Sequence, residues 1–126
     1  MIILDTSAVI DSFTWPKGSA PAVRRALERG ERLAIPALAL YEWLRGPRLP
    51  EEREAQEALF PRDAALPFGP QEAAVAAEVY RSVKRPRGRE IDLAIAAYAI
   101  VRDADLWTLN LDDFRDVAGL RVCRPS

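Results

Sequence analysis

The chain has 126 residues, 49% hydrophobic and 29% charged, with 19 acidic against 18 basic side chains and a formal net charge of -1. That is the length of one domain, 1–126, able to bury a core without staples, and the balanced charge excludes coating nucleic acid by bulk charge alone. With no histidine there is no Ser-His-Asp triad, Cys-His pair or histidine-built zinc site, and the lone Cys123 excludes an internal disulfide, so acid–base chemistry falls to carboxylates and a reducing, cytoplasmic compartment is expected.

Ile2-Ile3-Leu4 is apolar and β-branched, too short for a helix, and reads as a buried strand ended by Asp5. It meets that charge at once, without a basic leader, so no signal peptide is expected, and no apolar run approaches the ~20 residues that span a bilayer. Thr6 and Ser7 offer capping hydroxyls before Ala8-Val9-Ile10, and a loop follows around Trp15-Pro16-Lys17-Gly18. Ser19 is placed to cap a helix through Pro21 to Arg29, with Val23 and Leu27 stacked on one face and Gly30 as its stop. A second strand is expected over Arg32 to Ile35. Pro36 then stands at a first helical position before Ala37 to Arg45, which Gly46-Pro47 closes.

Pro50-Glu51-Glu52 opens a further helix to about Phe60, its acids suiting the positive helix end. Ala65 to Phe68 reads as a strand, and Gly69-Pro70-Gln71-Glu72 begins a helix to about Lys84 with a Val75, Val79, Val83 stripe. Arg89 to about Asp103 is helical, and the unbroken apolar run Leu93 to Val101 requires cover on all sides. Asp105 to Leu109 and Leu120 to Cys123 complete the strands. Short strands alternating with helices predict an α/β/α sandwich around a central, mostly parallel sheet.

Most of the carboxylates fit solvated helix faces and caps, but three do not. Asp5 ends a buried strand, where open parallel sheets place their crevice; its alternative role is a helix cap. Glu42 is the only charge within Leu38 to Leu44, with a salt bridge to Arg45 as the alternative. Asp92 shares a helical face with Ile95, Ala96 and Ala99, so it is paired, metal-bound or at a cavity, unless it serves as a cap or first-turn ion pair. A fourth acidic cluster, Asn110-Leu111-Asp112-Asp113, follows the late strand, whose end should share the crevice of Asp5. Carboxylates within ~4 to 5 Å of one another repel by roughly 3 to 4 kcal/mol per ionised pair at an effective dielectric near 20. A hard divalent cation relieves this, Mg²⁺ or Mn²⁺ ahead of zinc given oxygen donors alone, and such an ion suits a phosphodiester substrate.

The segments IILDTSAVI, ALALYEWLRG, REIDLAIAAYAI and LWTLNLDDF, in this order and spacing, resemble the PIN-domain nucleases, especially the VapC-type toxins of toxin–antitoxin pairs. The similarity covers the whole chain. It implies a PIN-like α/β/α fold and Mg²⁺- or Mn²⁺-dependent endonuclease action on RNA. Asp5 resembles the first metal ligand, Glu42 the second acidic position and Asp92 the third, with Thr6 or Ser7 at the supporting hydroxyl. The fourth position departs from the simplest pattern, because Asn110 stands where some members have aspartate and Asp113 is the acid three residues on. The resemblance further implies hydrolysis in line with the leaving 3′ oxygen, leaving a 5′-phosphate, with Asp5 and Asp92 as direct ligands and Glu42 as ligand or water-orienting base. It also implies a homodimer and a cognate antitoxin, for which Trp15, Trp43 and the Leu49 to Phe60 helix are candidate interface elements.

Arg81, Lys84, Arg85, Arg87 and Arg89 place five cations in nine residues before the helix of Asp92. They form a candidate phosphate track for RNA, with Trp15 or Trp43 as stacking surfaces and Trp107 assigned to the core; the alternative is a solvated helix end. Two other functions compete. A haloacid-dehalogenase-like phosphatase also opens with a strand and an aspartate, but its second aspartate two residues on is Ser7 here. A PIN-like module with a weakened site would only bind RNA or a protein partner, and Asn110 keeps that reading open.

Overall fold

The computed structural model describes residues 1–125. Strand β1 (Ile2–Leu4) leads directly into α1 (Thr6–Phe13), followed by α2 (Ala20–Glu28), β2 (Leu33–Ala34), α3 (Ala37–Arg45) and α4 (Pro50–Leu59). Helices α5 (Pro70–Ser82) and α6 (Glu90–Arg102) precede β3 (Asp105–Trp107) and β4 (Arg121–Cys123). The four strands pair in the order β2-β1-β3-β4, all parallel, with Ile2 opposite both Leu33 and Asp105 and Leu4 opposite Trp107.

Alternation along these short strands divides the core. Ile3 and Leu106 join Leu93, Ile95 and Tyr98 of α6, Val79 of α5 and Val83 just after it. Ile2, Leu4 and Trp107 instead join Val9, Phe13, Val23, Trp43 and Phe60 from the other helical layer. Successive strand residues face opposite ways, so a sheet covered on both sides must be apolar throughout, and Ile2 to Leu4 is buried at every position. Helix α6 is buried continuously from Leu93 to Ala99, as its unbroken apolar run demands.

Several local expectations are corrected. Ala65 to Phe68 forms no strand but a single parallel bridge between Pro36 and Leu66, made by Ala37 N–H to Leu66 O at 2.8 Å and Leu66 N–H to Ile35 O at 2.9 Å. Pro67 has no N–H to extend it, and Pro70 soon commits the chain to α5. The late strand ends at Trp107 rather than Leu109, and Pro36 flanks α3 rather than opening it. Ser19 does not cap α2 through its side chain; its hydroxyl donates to Asp11. Leu27 is exposed although Val23 beneath it is buried.

Trp43 overturns its assignment as a stacking or interface residue. It is fully buried, its indole N–H donates to Gln56 Oε1 at 3.2 Å, and Phe13 and the Arg48 guanidinium cover the ring. Trp15 is 88% exposed, and Trp107 lies in the core as expected.

Candidate active site at the strand ends

The carboxyl ends of the two central strands, β1 and β3, carry an interlinked polar network. Asp5 follows β1, its N–H donates to Trp107 O at 3.0 Å, and its side chain turns back to cap α1. Asp5 Oδ1 accepts from Ala8 N–H at 3.0 Å and from the Ser7 hydroxyl at 2.6 Å. The capping role expected of Thr6 or Ser7 therefore belongs to Asp5. Burial pushes the Asp5 carboxyl above its ordinary pKa, against the lowering effect of Ser7, Thr108 and the α1 amides.

Two adjacent hydroxyls divide between two acids. Ser7 Oγ donates to Asp5, accepts the Leu109 N–H at 3.1 Å and lies 3.5 Å from Thr108 Oγ1. Thr6 Oγ1 donates to Glu42 Oε1 at 2.5 Å, spanning from α1 to α3. Glu42 also accepts from Arg45 at 3.1 Å, so the salt bridge and the inward contact coexist on its two oxygens.

Asp92 occupies the first turn of α6 and is half-buried. Burial, then the charges of Glu42, Asp5 and Asp113, push its carboxyl up to about 6, with Arg89 acting in the opposite sense. Four acids, from the end of β1, from α3, from α6 and from the turn after β3, thus share one electrostatic neighbourhood. Among the described residues no three of them already form a cage for an ion.

Beyond β3 the backbone enters a 3₁₀ turn, Leu111–Phe114, bordering an open groove of about 420 Å³ lined by Leu109, Asn110, Leu111, Asp112 and Asp113. Thr108, fully buried, accepts the Asn110 N–H on its hydroxyl at 3.0 Å. The Asn110 and Asp113 side chains are exposed; Asp113 adds to the charge felt by Asp92, whereas Asp112 pairs with Arg115.

The basic run divides. Arg81, Lys84, Arg85 and Arg87 are exposed, and among the described residues their side chains form no ion pair. Arg89 departs from the expected track: it forks onto both Asp116 oxygens at 2.7 and 3.0 Å and donates to Asp113 O at 2.7 Å. Thr108 and the Arg89–Asp116 pair escape sequence reasoning. The available signal for Thr108 is a hydroxyl at the end of an otherwise apolar strand. Cys123 has its thiol pushed by burial to about 11, far from a reactive thiolate.

The acids and hydroxyls of the cluster offer oxygen donors alone, the donor set that hard divalent cations take, and the mutual repulsion sensed at Asp92 is what such an ion offsets. No helix among the described residues is long and apolar enough to cross a membrane.

Comparison with known proteins places the fold and the family. Ribonuclease VapC19 of Mycobacterium tuberculosis is 32% identical over 117 residues, covering 90% of this chain and 92% of the relative. The fold matches VapBC from Salmonella typhimurium, solved bound to DNA, at a TM-score of 0.78 and 23% identity over 98% of this chain and 96% of that one. It also matches a toxin–antitoxin complex from Klebsiella pneumoniae at 0.70 and 20% identity, over 100% and 98%. The PIN domain model itself matches residues 2–120, spanning the strands β1 to β3 and every acid of the cluster, and the chain belongs to the PIN-domain family.

Proposed function

We propose that this chain is an endoribonuclease, the toxin of a toxin–antitoxin pair, that hydrolyses RNA phosphodiesters with a divalent cation, Mg²⁺ or Mn²⁺. The observation that carries the reading is the pair of adjacent hydroxyls, Ser7 and Thr6, that hold Asp5 and Glu42 at the end of β1, with Asp92 feeling both charges, in a chain related to a ribonuclease. Asp5 and Asp92 would hold the cation, with Glu42 beside them and Asp113, rather than the uncharged Asn110 or the Arg115-paired Asp112, completing the acidic set. When bound, the ion supplies charge neutralisation at the phosphate and a more acidic water.

The chain's own residues contribute orientation. Ser7 and Ala8 N–H hold one oxygen of Asp5, and Thr6 holds one oxygen of Glu42. Glu42 would act as a ligand or water-orienting base for hydrolysis in line with the leaving 3′ oxygen, leaving a 5′-phosphate. Arg81, Lys84, Arg85 and Arg87 supply the phosphate track, and exposed Trp15 a stacking surface. The match to a toxin–antitoxin complex supports a cognate antitoxin, and a homodimer and a cytoplasmic setting complete the reading.

Purified protein should cut a mixed RNA pool in Mg²⁺ or Mn²⁺, not in EDTA, and Asp92→Asn should be inactive while folded. Metal binding without cleavage would instead select a binding module, the role suggested by the uncharged Asn110; activity retained in Asp92→Asn would refute the site.

A further inference from the structure

We propose that Arg89 is a positioning residue of the acidic site, a latch tying the Leu111–Phe114 turn and its Asp113 carboxylate to the start of α6, where Asp92 stands. The inference rests on the nuclease reading above and adds a residue that acts through others rather than on RNA.

Arg89 is the residue immediately preceding α6, and it makes no side-chain cap bond. Ser, Thr, Asp and Asn are favoured at that position because their oxygens accept a first-turn N–H, and a cation there faces the positive end of the helix dipole. A guanidinium therefore works against its own helix. Its compensation comes from distant parts of the chain. Two nitrogens fork onto Asp116, and one of them also takes the Asp113 carbonyl, contacts 27 and 24 residues away in sequence. Planar bidentate pairing fixes orientation as well as charge, which a single ammonium cannot do.

Both sides of the latch are prepared. Gly88, at φ +83°, lets the chain turn so that Arg89 N–H meets Pro86 O at 3.0 Å. On the other side Phe114 and Val117 are buried, flanking the exposed Asp116 and anchoring the end of the turn, while Leu111 and Asp113 lie exposed. The Asp92 carboxylate, which feels the charge of Asp113, repels it in return. Arg89 opposes that repulsion twice, by holding the Asp113 carbonyl and by placing a positive charge among the acids.

A phosphate-contacting arginine and a latch make opposite predictions at Asp116. Removing the Asp116 charge frees Arg89, so a phosphate contact would bind RNA as tightly or more tightly; a latch would release the turn. The test uses the full chain with Arg89→Gln, Arg89→Lys, Asp116→Asn and the exchange Arg89→Asp/Asp116→Arg. Cleavage in Mn²⁺ at saturating RNA is measured beside RNA affinity in EDTA and amide hydrogen exchange over residues 110–117 without RNA or metal. Arg89→Gln and Asp116→Asn should each lower kcat by about tenfold or more, leave RNA affinity within about threefold, and speed exchange in the turn. Arg89→Lys should recover only part of the rate, and the exchange variant more than either single change.

Wild-type exchange in Asp116→Asn, or Arg89→Gln losing RNA affinity while Asp116→Asn gains it, would overturn the latch. If the wild type cuts no RNA, the nuclease reading fails by itself, and the metal-free exchange data still decide whether Arg89 holds the turn.

Discussion

Replacing Asp92 by asparagine should abolish cleavage and at the same time stabilise the fold. Burial first, then the charges of Glu42, Asp5 and Asp113, lift this carboxyl from 3.8 to about 6. A rise of that size corresponds to about 3 kcal/mol of stability lost while the group is ionised, which solvent screening of a half-buried side chain reduces to about 1–2 kcal/mol. The folded chain binds the proton more tightly than the unfolded one. Stability therefore rises as pH falls through about 6 towards 3.8, and the destabilisation is fully present above that window. In EDTA near pH 7.5, Asp92→Asn should melt roughly 3–10 °C above wild type by circular dichroism, an advantage that fades near pH 4 as the wild-type carboxyl protonates. Divalent cation at about 100 times its Kd should then stabilise wild type by about 2.7 kcal/mol and the variant far less. An Asp92→Asn protein that melts below wild type near pH 7.5, or a difference that does not change with pH, would refute the claim that these acids meet at Asp92.

Reversing Arg85 and Arg87 to glutamate should weaken RNA binding and lower the slope of log affinity against log salt by at least about 1.4, at roughly 0.7 per single-strand phosphate contact; filter binding across a salt series reads this. Gln56→Leu leaves the buried Trp43 N–H without its 3.2 Å acceptor and should destabilise by about 1–3 kcal/mol in urea, without altering cleavage of the remaining folded protein. Thr108→Val removes the hydroxyl that accepts Asn110 N–H and neighbours Ser7, so it should lose about 1 kcal/mol in urea and also slow cleavage. Gly88→Ala forces a side chain onto a left-handed backbone and should lower the urea midpoint by the equivalent of about 1 kcal/mol.

The parallel sheet was legible because its signals are local and repeated. Ile2 to Leu4 is apolar on every residue, and α6 announces burial by seven consecutive buried positions from Leu93 to Ala99. Boundaries were less legible, since apolar composition continues where pairing stops. Ala65 to Phe68 has strand composition, yet Pro67 removes the donor a longer ladder would need, leaving one bridge. The burial of Trp43 is illegible for a different reason. Nothing in the α3 sequence says that α4 will return Gln56 to its indole N–H, which is a contact across 13 residues.

At the candidate site, legibility followed contrast. Asp5, Glu42 and Asp92 each interrupt apolar sequence, and a charge in such a place demands a partner, a cavity or an ion. Asn110, Asp112 and Asp113 sit in a polar turn where every residue is locally acceptable, so only the folded backbone separates the exposed Asp112–Arg115 pair from the Asp113 charge felt at Asp92. Arg89 was hidden by its neighbours: in a run of five cations it looks like one more phosphate contact. Its distinguishing feature appears once α6 is known to begin at Glu90, because an arginine then occupies a position suited to an oxygen acceptor. A residue that disfavours its own helix and is held by Asp113 and Asp116 across the chain is explained by what it positions. That places part of the control over the acidic site in a side chain that need never touch the substrate.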